Sequence, residues 1–129
     1  MQRFLGKYSS CLYATLRMIA GLMFAMHGSQ KLLAWPGGSA SMPLASLMGV
    51  AGVVELVGGL MIAVGFFTSW AAFIASGEMA VAYFKAHAPQ GAFPLLNRGE
   101  LAVLYCFLFL YIASQGAGGW SLDAMMRKK

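Results

Sequence analysis

The stretch ASLMGVAGVVELVGGLMIAVGF, residues 45–66, decides the fold. Its one ionisable side chain, Glu55, sits in an otherwise apolar run about as long as a helical membrane crossing requires, roughly 20 residues. The run lacks the period-2 alternation of a membrane β-strand. On a helix, Gly49, Gly52, Gly59 and Ala63 share one broad face with Glu55 beside them, and Gly58 extends it. Small residues on such a face let a neighbouring backbone approach closely, or leave room for a flat ligand.

Working outward, three more apolar runs flank this one, each ended by turn-forming residues. The first covers about residues 10–33 and stops at Trp35-Pro36-Gly37-Gly38, after which Ser39 to Pro43 form a connection. Thr68-Ser69 turns the chain into a third run, about 69–86. Residues 86–97 hold two prolines, a glycine and an asparagine and form the longest loop; the fourth run, 98–115, ends at Gly116-Ala117-Gly118-Gly119. The expectation is an all-α protein: a polytopic integral membrane four-helix bundle, one domain over residues 1–129, with a short interfacial tail at 120–129. Proline is absent from all four runs, which favours regular helices.

Composition points the same way. Hydrophobic residues make up 60% of the 129 and charged residues 10%, against about 25% charged in soluble domains; mean hydropathy is +0.70. The net charge of +5 does not indicate nucleic acid, because Arg3, Lys7, Arg127, Lys128 and Lys129 lie at the two ends. Such clusters orient apolar helices and contact anionic lipid, and here they place both termini in the cytoplasm. Cys11 and Cys106 fall at different expected depths, too far apart for a disulfide. Arg17 interrupts the first run, and the run continues at helix length, which fits a signal peptide poorly.

Ionisable residues inside the runs are the natural place to look for function. At about 1.5 Å of rise per residue, Arg17 lies roughly 10 Å into its helix, and Glu55 and Glu78 lie roughly 13 Å into theirs. These three are expected to meet as a structural polar core. Phe24, His27 and Lys31 share a stripe with Arg17 on the first helix, with Lys31 near enough to the outer end to snorkel. His27, Lys31, Lys85, His87, Asn97, Arg98 and Glu100 gather toward the outer end, where histidine suits proton exchange. A metal or haem between His27 and His87 lacks supporting spacing, and no metal site is assigned.

Taken in order, HGSQKL at 27–32, VELVGGL at 54–60, NRGE at 97–100 and GAGGWSLD at 116–123 resemble the DoxX family of small bacterial four-helix membrane proteins. The likeness runs over nearly the whole chain. It maps the family's outer histidine and lysine onto His27 and Lys31, and its second-helix glutamate and glycines onto Glu55, Gly58 and Gly59. The glutamate opening the last helix becomes Glu100, and the polar positions of the C-terminal signature become Ser121 and Asp123. The resemblance implies a bacterial inner-membrane, multi-pass location and a loose link to respiratory quinone chemistry, oxidative-stress membrane complexes and resistance to catechols or quinones.

Three roles stay open on the sequence. One is a quinone- or redox-linked subunit with a polar pocket near the outer face. There His27, Glu55 and Glu100 are the candidate catalytic groups, and Phe24, His27, Lys31, Glu55, Gly58, Gly59 and Glu100 the candidate ligand contacts. Quinone is the one cofactor suggested, and none is certain. With no flavin, iron–sulfur or nucleophile motif, redox work would need an oxidoreductase partner or a redox-active substrate. The second role is a non-catalytic assembly or scaffolding subunit with a membrane-protein partner or a second copy of itself. The third is a small-molecule carrier.

Overall fold

The computed structural model describes residues 3–37, 43 and 45–127. Most of the 39–43 connection and the terminal Lys128 and Lys129 lie outside them. Among the described residues every regular element is helical. A 3-10 turn at Gly6–Tyr8 leads into α1 (Ser9–Leu33), followed by α2 (Leu47–Val64) and α3 (Thr68–Ala82). A π-helical turn, Tyr83–His87, and a 3-10 turn, Ala88–Gln90, prolong α3. The single turn α4 (Pro94–Asn97) precedes α5 (Glu100–Gln115) and the short α6 (Leu122–Arg127).

Local chemistry sets these limits. The Ser46 hydroxyl accepts the Gly49 N–H at 3.0 Å and caps the start of α2, satisfying one of the donors a helix leaves free. Gly65 closes that helix with φ +73°, a left-handed conformation that glycine adopts without a steric cost.

The bundle is two tight helix pairs. In the first, glycines bring the α1 and α2 backbones together. A Cβ on Gly28 would lie 2.3 Å from the Leu56 nitrogen, one on Gly21 2.5 Å from the Ala63 nitrogen, and one on Gly59 2.5 Å from the Ala25 nitrogen. No side chain fits at any of the three. In the second pair, α3 and α5 are joined by the Ser76 hydroxyl, which donates to the Cys106 carbonyl at 2.7 Å, and by Ala72, Ala75, Phe109 and Ile112 in the core. The pairs meet where Phe24 of α1 packs against Phe109 and Tyr105 of α5, at centroid distances of 4.8 and 5.5 Å.

The C-terminal tail locks the opposite end. Asp123 accepts the Phe67 N–H at 2.9 Å on one oxygen, and the Thr68 N–H and hydroxyl at 3.0 and 2.9 Å on the other. It thus caps α3 from across the chain and steadies Phe67, whose φ of 45° is unusual for a residue with a Cβ. Arg17, fully buried, completes the lock. One nitrogen donates to the Ile62 and Ala63 carbonyls, both at 2.8 Å, and the other to those of Gly119 and Trp120 at 3.2 and 2.8 Å. A cation at the C-terminal end of α2 also meets the negative end of the helix dipole.

Each of the four long helices keeps large apolar side chains outward: Leu16, Ile19 and Met23 on α1, Val53, Val57 and Leu60 on α2, Phe73 and Ile74 on α3, Leu104 and Phe107 on α5. By length and apolarity, Gly6–Leu33 and Leu47–Val64 qualify as membrane crossings, while Glu100–Gln115 is a shorter apolar helix.

Two tests follow from the packing. Gly28→Ala should abolish a folded, monodisperse protein in detergent, whereas Gly58→Ala, with nothing within 4 Å of its new Cβ, should melt at or slightly above the parent temperature. A folded Gly28→Ala protein would contradict the backbone contact. For Asp123, burial works to raise the carboxyl's pKa, but the Thr68 and Phe67 hydrogen bonds, with Arg127 nearby, outweigh it and hold the group below the usual carboxylate range. A depressed carboxyl stabilises fully above its unfolded value, about 3.9, and loses that contribution as pH falls through the lower folded value. Asp123→Ala should cost about 1 kcal/mol at neutral pH, as for other lost caps, and melting curves of variant and parent should converge in strong acid.

Candidate functional site

Where the two pairs separate, the half of the bundle away from the Asp123 clamp holds a cavity of about 670 Å³, within the range of small-molecule sites, roughly 300–1,000 Å³. Its walls come from α1, α2, α3 with its π turn, and α5. Of the residues expected from sequence, Phe24, His27, Lys31, Glu55, Glu78, Lys85, His87 and Arg98 all line it, joined by Tyr105.

The polar centre is an ion pair. Lys31 Nζ lies 2.5 Å from Glu55 Oε1; the Glu55 side chain is 1% exposed and that of Lys31 24%. Lys31 therefore turns inward to the second helix rather than snorkelling outward. This corrects the expected polar core: Arg17 spends its donors on backbone carbonyls at the opposite end of the bundle and does not join Glu55 or Glu78. The reason is reach. Arg17 enters α1 two turns from its start, level with the end of α2, whereas Glu55 lies midway along α2 and meets the far end of the antiparallel α1.

Glu78 of α3 faces the same cavity. Its Oε2, Glu55 Oε2 and Tyr105 Oη are buried with no hydrogen-bond partner among the described residues. Tyr105 stands edge-on to His27 at a centroid distance of 6.2 Å. The chamber thus combines an aromatic wall, an aliphatic wall and one cluster of cation, carboxyls, imidazole and phenol. Such a cluster can hydrogen-bond a polar ring and exchange protons with it.

Three candidates fall outside. Gly59 is consumed by the contact with the Ala25 backbone, and Gly58 faces open space away from the cavity; neither lines it. Glu100 begins α5, exposed, and is absent from the cavity wall; a carboxylate there is favoured by the helix N-terminus alone. Asn97, expected in the loop and in the polar group around His27 and Lys31, is not on the cavity wall; it is fully buried and organises the loop before α5. Its side-chain nitrogen donates to Tyr83 Oη at 3.1 Å and the Gly91 carbonyl at 3.0 Å, and its oxygen accepts the Gly99 N–H at 2.8 Å. His87 Nδ1 lies 3.1 Å from the Asn97 carbonyl oxygen. An asparagine directly before a left-handed Arg98 and a glycine was the available signal, since its side chain readily satisfies turn backbone. The π turn, a feature frequent at functional sites, carries both Lys85 and His87 on the cavity wall.

The ion pair has a direct test. Lys31→Met leaves Glu55 buried without its partner and should cost about 3 kcal/mol or more, while adding Glu55→Gln should restore most of that loss in a thermal-melt double-mutant cycle. Arg17→Ala and Glu55→Gln should instead be additive, since they share no contact. Strong Arg17–Glu55 coupling would contradict the separation of the two sites.

Comparison with known proteins gives the chain a family. The DoxX family model matches residues 12–88, which include α1 from Leu12 onward, α2, α3 and the π turn. A Haemophilus influenzae protein described as "Uncharacterized protein" is 46% identical over 132 residues, covering 97% of this chain and 98% of the relative. No solved structure matches the chain significantly. The cavity's first three helices thus coincide with the matched segment, and the chain belongs to the DoxX family, a membrane-associated group of proteins.

Proposed function

We propose that this protein is a multi-pass inner-membrane bundle that binds a lipid-soluble, quinone-like ring in the cavity between its helix pairs, as a redox-linked subunit. In this reading α1, α2, α3 with its π turn, and α5 all cross the bilayer, with α6 on the cytoplasmic face. The outward Leu, Ile, Val, Phe and Met side chains on all four support the crossings, since in water so continuous an apolar surface would drive aggregation. At 16 residues, α5 spans about 24 Å, and the bilayer would thin locally around it.

One observation carries the ligand reading: the Lys31–Glu55 pair, Glu78, His27 and Tyr105 line one chamber whose other walls are apolar. The residues fit a ring of this class. Phe24 and Tyr105 offer aromatic faces, Lys31 and His27 can donate to a ring carbonyl oxygen, and Glu78 and Tyr105 can hold or release a proton beside it. Redox chemistry would come from the bound ring itself; the chain's part is to bind, orient and supply protons.

Native mass spectrometry and solvent extraction of the gently solubilised protein test the proposal. A retained quinone-like molecule is the expected result, with Gly77→Leu lowering its occupancy at least tenfold while the bundle still folds. Gly77 lines the cavity with nothing within 4 Å of a new Cβ, so a leucine there has room to grow. No retained molecule, no saturable binding of added quinone, and a stoichiometric protein partner instead would overturn it in favour of an assembly role.

A further inference from the structure

The cavity has two flanks, and they differ. On the α1–α5 flank aromatic rings fill the seam beside the cavity: Phe24 packs on Tyr105 and Phe109, and His27 stands edge-on to Tyr105 at 6.2 Å. That side is shut. On the α2–α3 flank the lining is small or aliphatic. Val50 on α2 and Ile74 and Val81 on α3 are 51%, 56% and 50% exposed while also lining the cavity, and Gly77 between the latter two meets nothing within 4 Å. A side chain that borders the cavity and the outer surface together marks an opening. α2 and α3 are held together at the Asp123-clamped turn and border the chamber with their far halves, Leu47–Val54 and Ile74–Ala82. The glycine contacts tie α2 to α1, and Ser76 ties α3 to α5, so each wall of the opening is anchored from behind.

We infer that the cavity's ligand carries a hydrocarbon tail, and that it enters sideways from the outer half of the bilayer between α2 and α3, leaving its tail in that opening. This rests on the proposed ring-binding site and names its ligand class: a ring compound that lives in the lipid rather than one dissolved in water. The polar groups that would hold the head, Lys31–Glu55 and Glu78, lie inside the opening, Glu55 only 1% exposed, while the rim at Val50, Ile74, Gly77 and Val81 is hydrocarbon, with Lys85 one turn beyond Val81. A tail at the rim exchanges lipid contact for contact with Val50, Ile74 and Val81, and no polar group has to be desolvated there.

The protein in nanodiscs should therefore be given two quinones of the same ring, one with a long isoprenoid tail bearing a photoactivatable diazirine and one without a tail. The expected result is at least tenfold tighter binding of the tailed compound relative to its partition into protein-free discs, with crosslinks confined to α2 and α3 around Val50, Ile74 and Val81. Val81→Trp, at the rim, should slow uptake of the tailed compound at least fivefold and leave that of the tailless one unchanged. Equal partition-corrected binding of both, or crosslinks on α1 and α5, would overturn the lateral route while the ring-binding site stands. Binding of neither would overturn the site and the route together.

Discussion

The close approach of α1 and α2 is the constraint on which the rest of the bundle depends. Gly21, Gly28 and Gly59 allow the two backbones to touch, and that contact fixes their relative depth. With the depth fixed, Lys31 at the end of one helix lies level with Glu55 in the middle of the other, and the pair forms at 2.5 Å. Apolar side chains do little to hold helices together where the surroundings are equally apolar. Backbone proximity, dispersion and interhelical polar contacts carry the association instead. The same logic covers α3 and α5, where small alanines and the Ser76–Cys106 hydrogen bond supply the closeness.

A bundle of two tight pairs has its loosest packing between them, and there the cavity lies. One seam is filled by aromatic rings and the other is left open, so the position of the chamber follows from where the large side chains were placed. The tail determines which end stays closed. Asp123 and Arg17 together tie α1, the end of α2, the start of α3 and the segment after α5 into one polar knot, leaving the opposite half to diverge. Buried charges thus serve opposite purposes at the two ends. At the knotted end every hydrogen bond from Arg17's two terminal nitrogens goes to backbone, a structural use. At the cavity end Glu55, Glu78 and Tyr105 retain unpartnered atoms on residues that line the chamber, whereas Arg17, whose Nε is also unpartnered, lines no part of it.

What the sequence by itself determined was the all-helical class and the identity of most of the cavity's ionisable residues. Apolar runs punctuated by glycine and proline leave a backbone few alternatives to helix, and an ionisable side chain inside such a run has to face protein rather than lipid. Phe24, His27, Lys31, Glu55 and Glu78 were legible on those grounds. Only the tertiary structure decided which of them meet. Arg17 and Glu55 looked like partners because opposite charges at similar estimated depth attract, but depth along one helix says nothing about the antiparallel register of its neighbour, which the glycine contacts set. The roles of Gly58 and Gly59 were likewise undecidable from a stripe, since a small residue serves a close contact and an open space equally well until the facing backbone is known. Asn97 and Asp123 act through partners far away in sequence or folded back across a loop, and the open α2–α3 flank exists only because the aromatic side chains pack elsewhere. Local pattern fixes which groups must turn inward; register and packing between helices, which are non-local, fix what they touch.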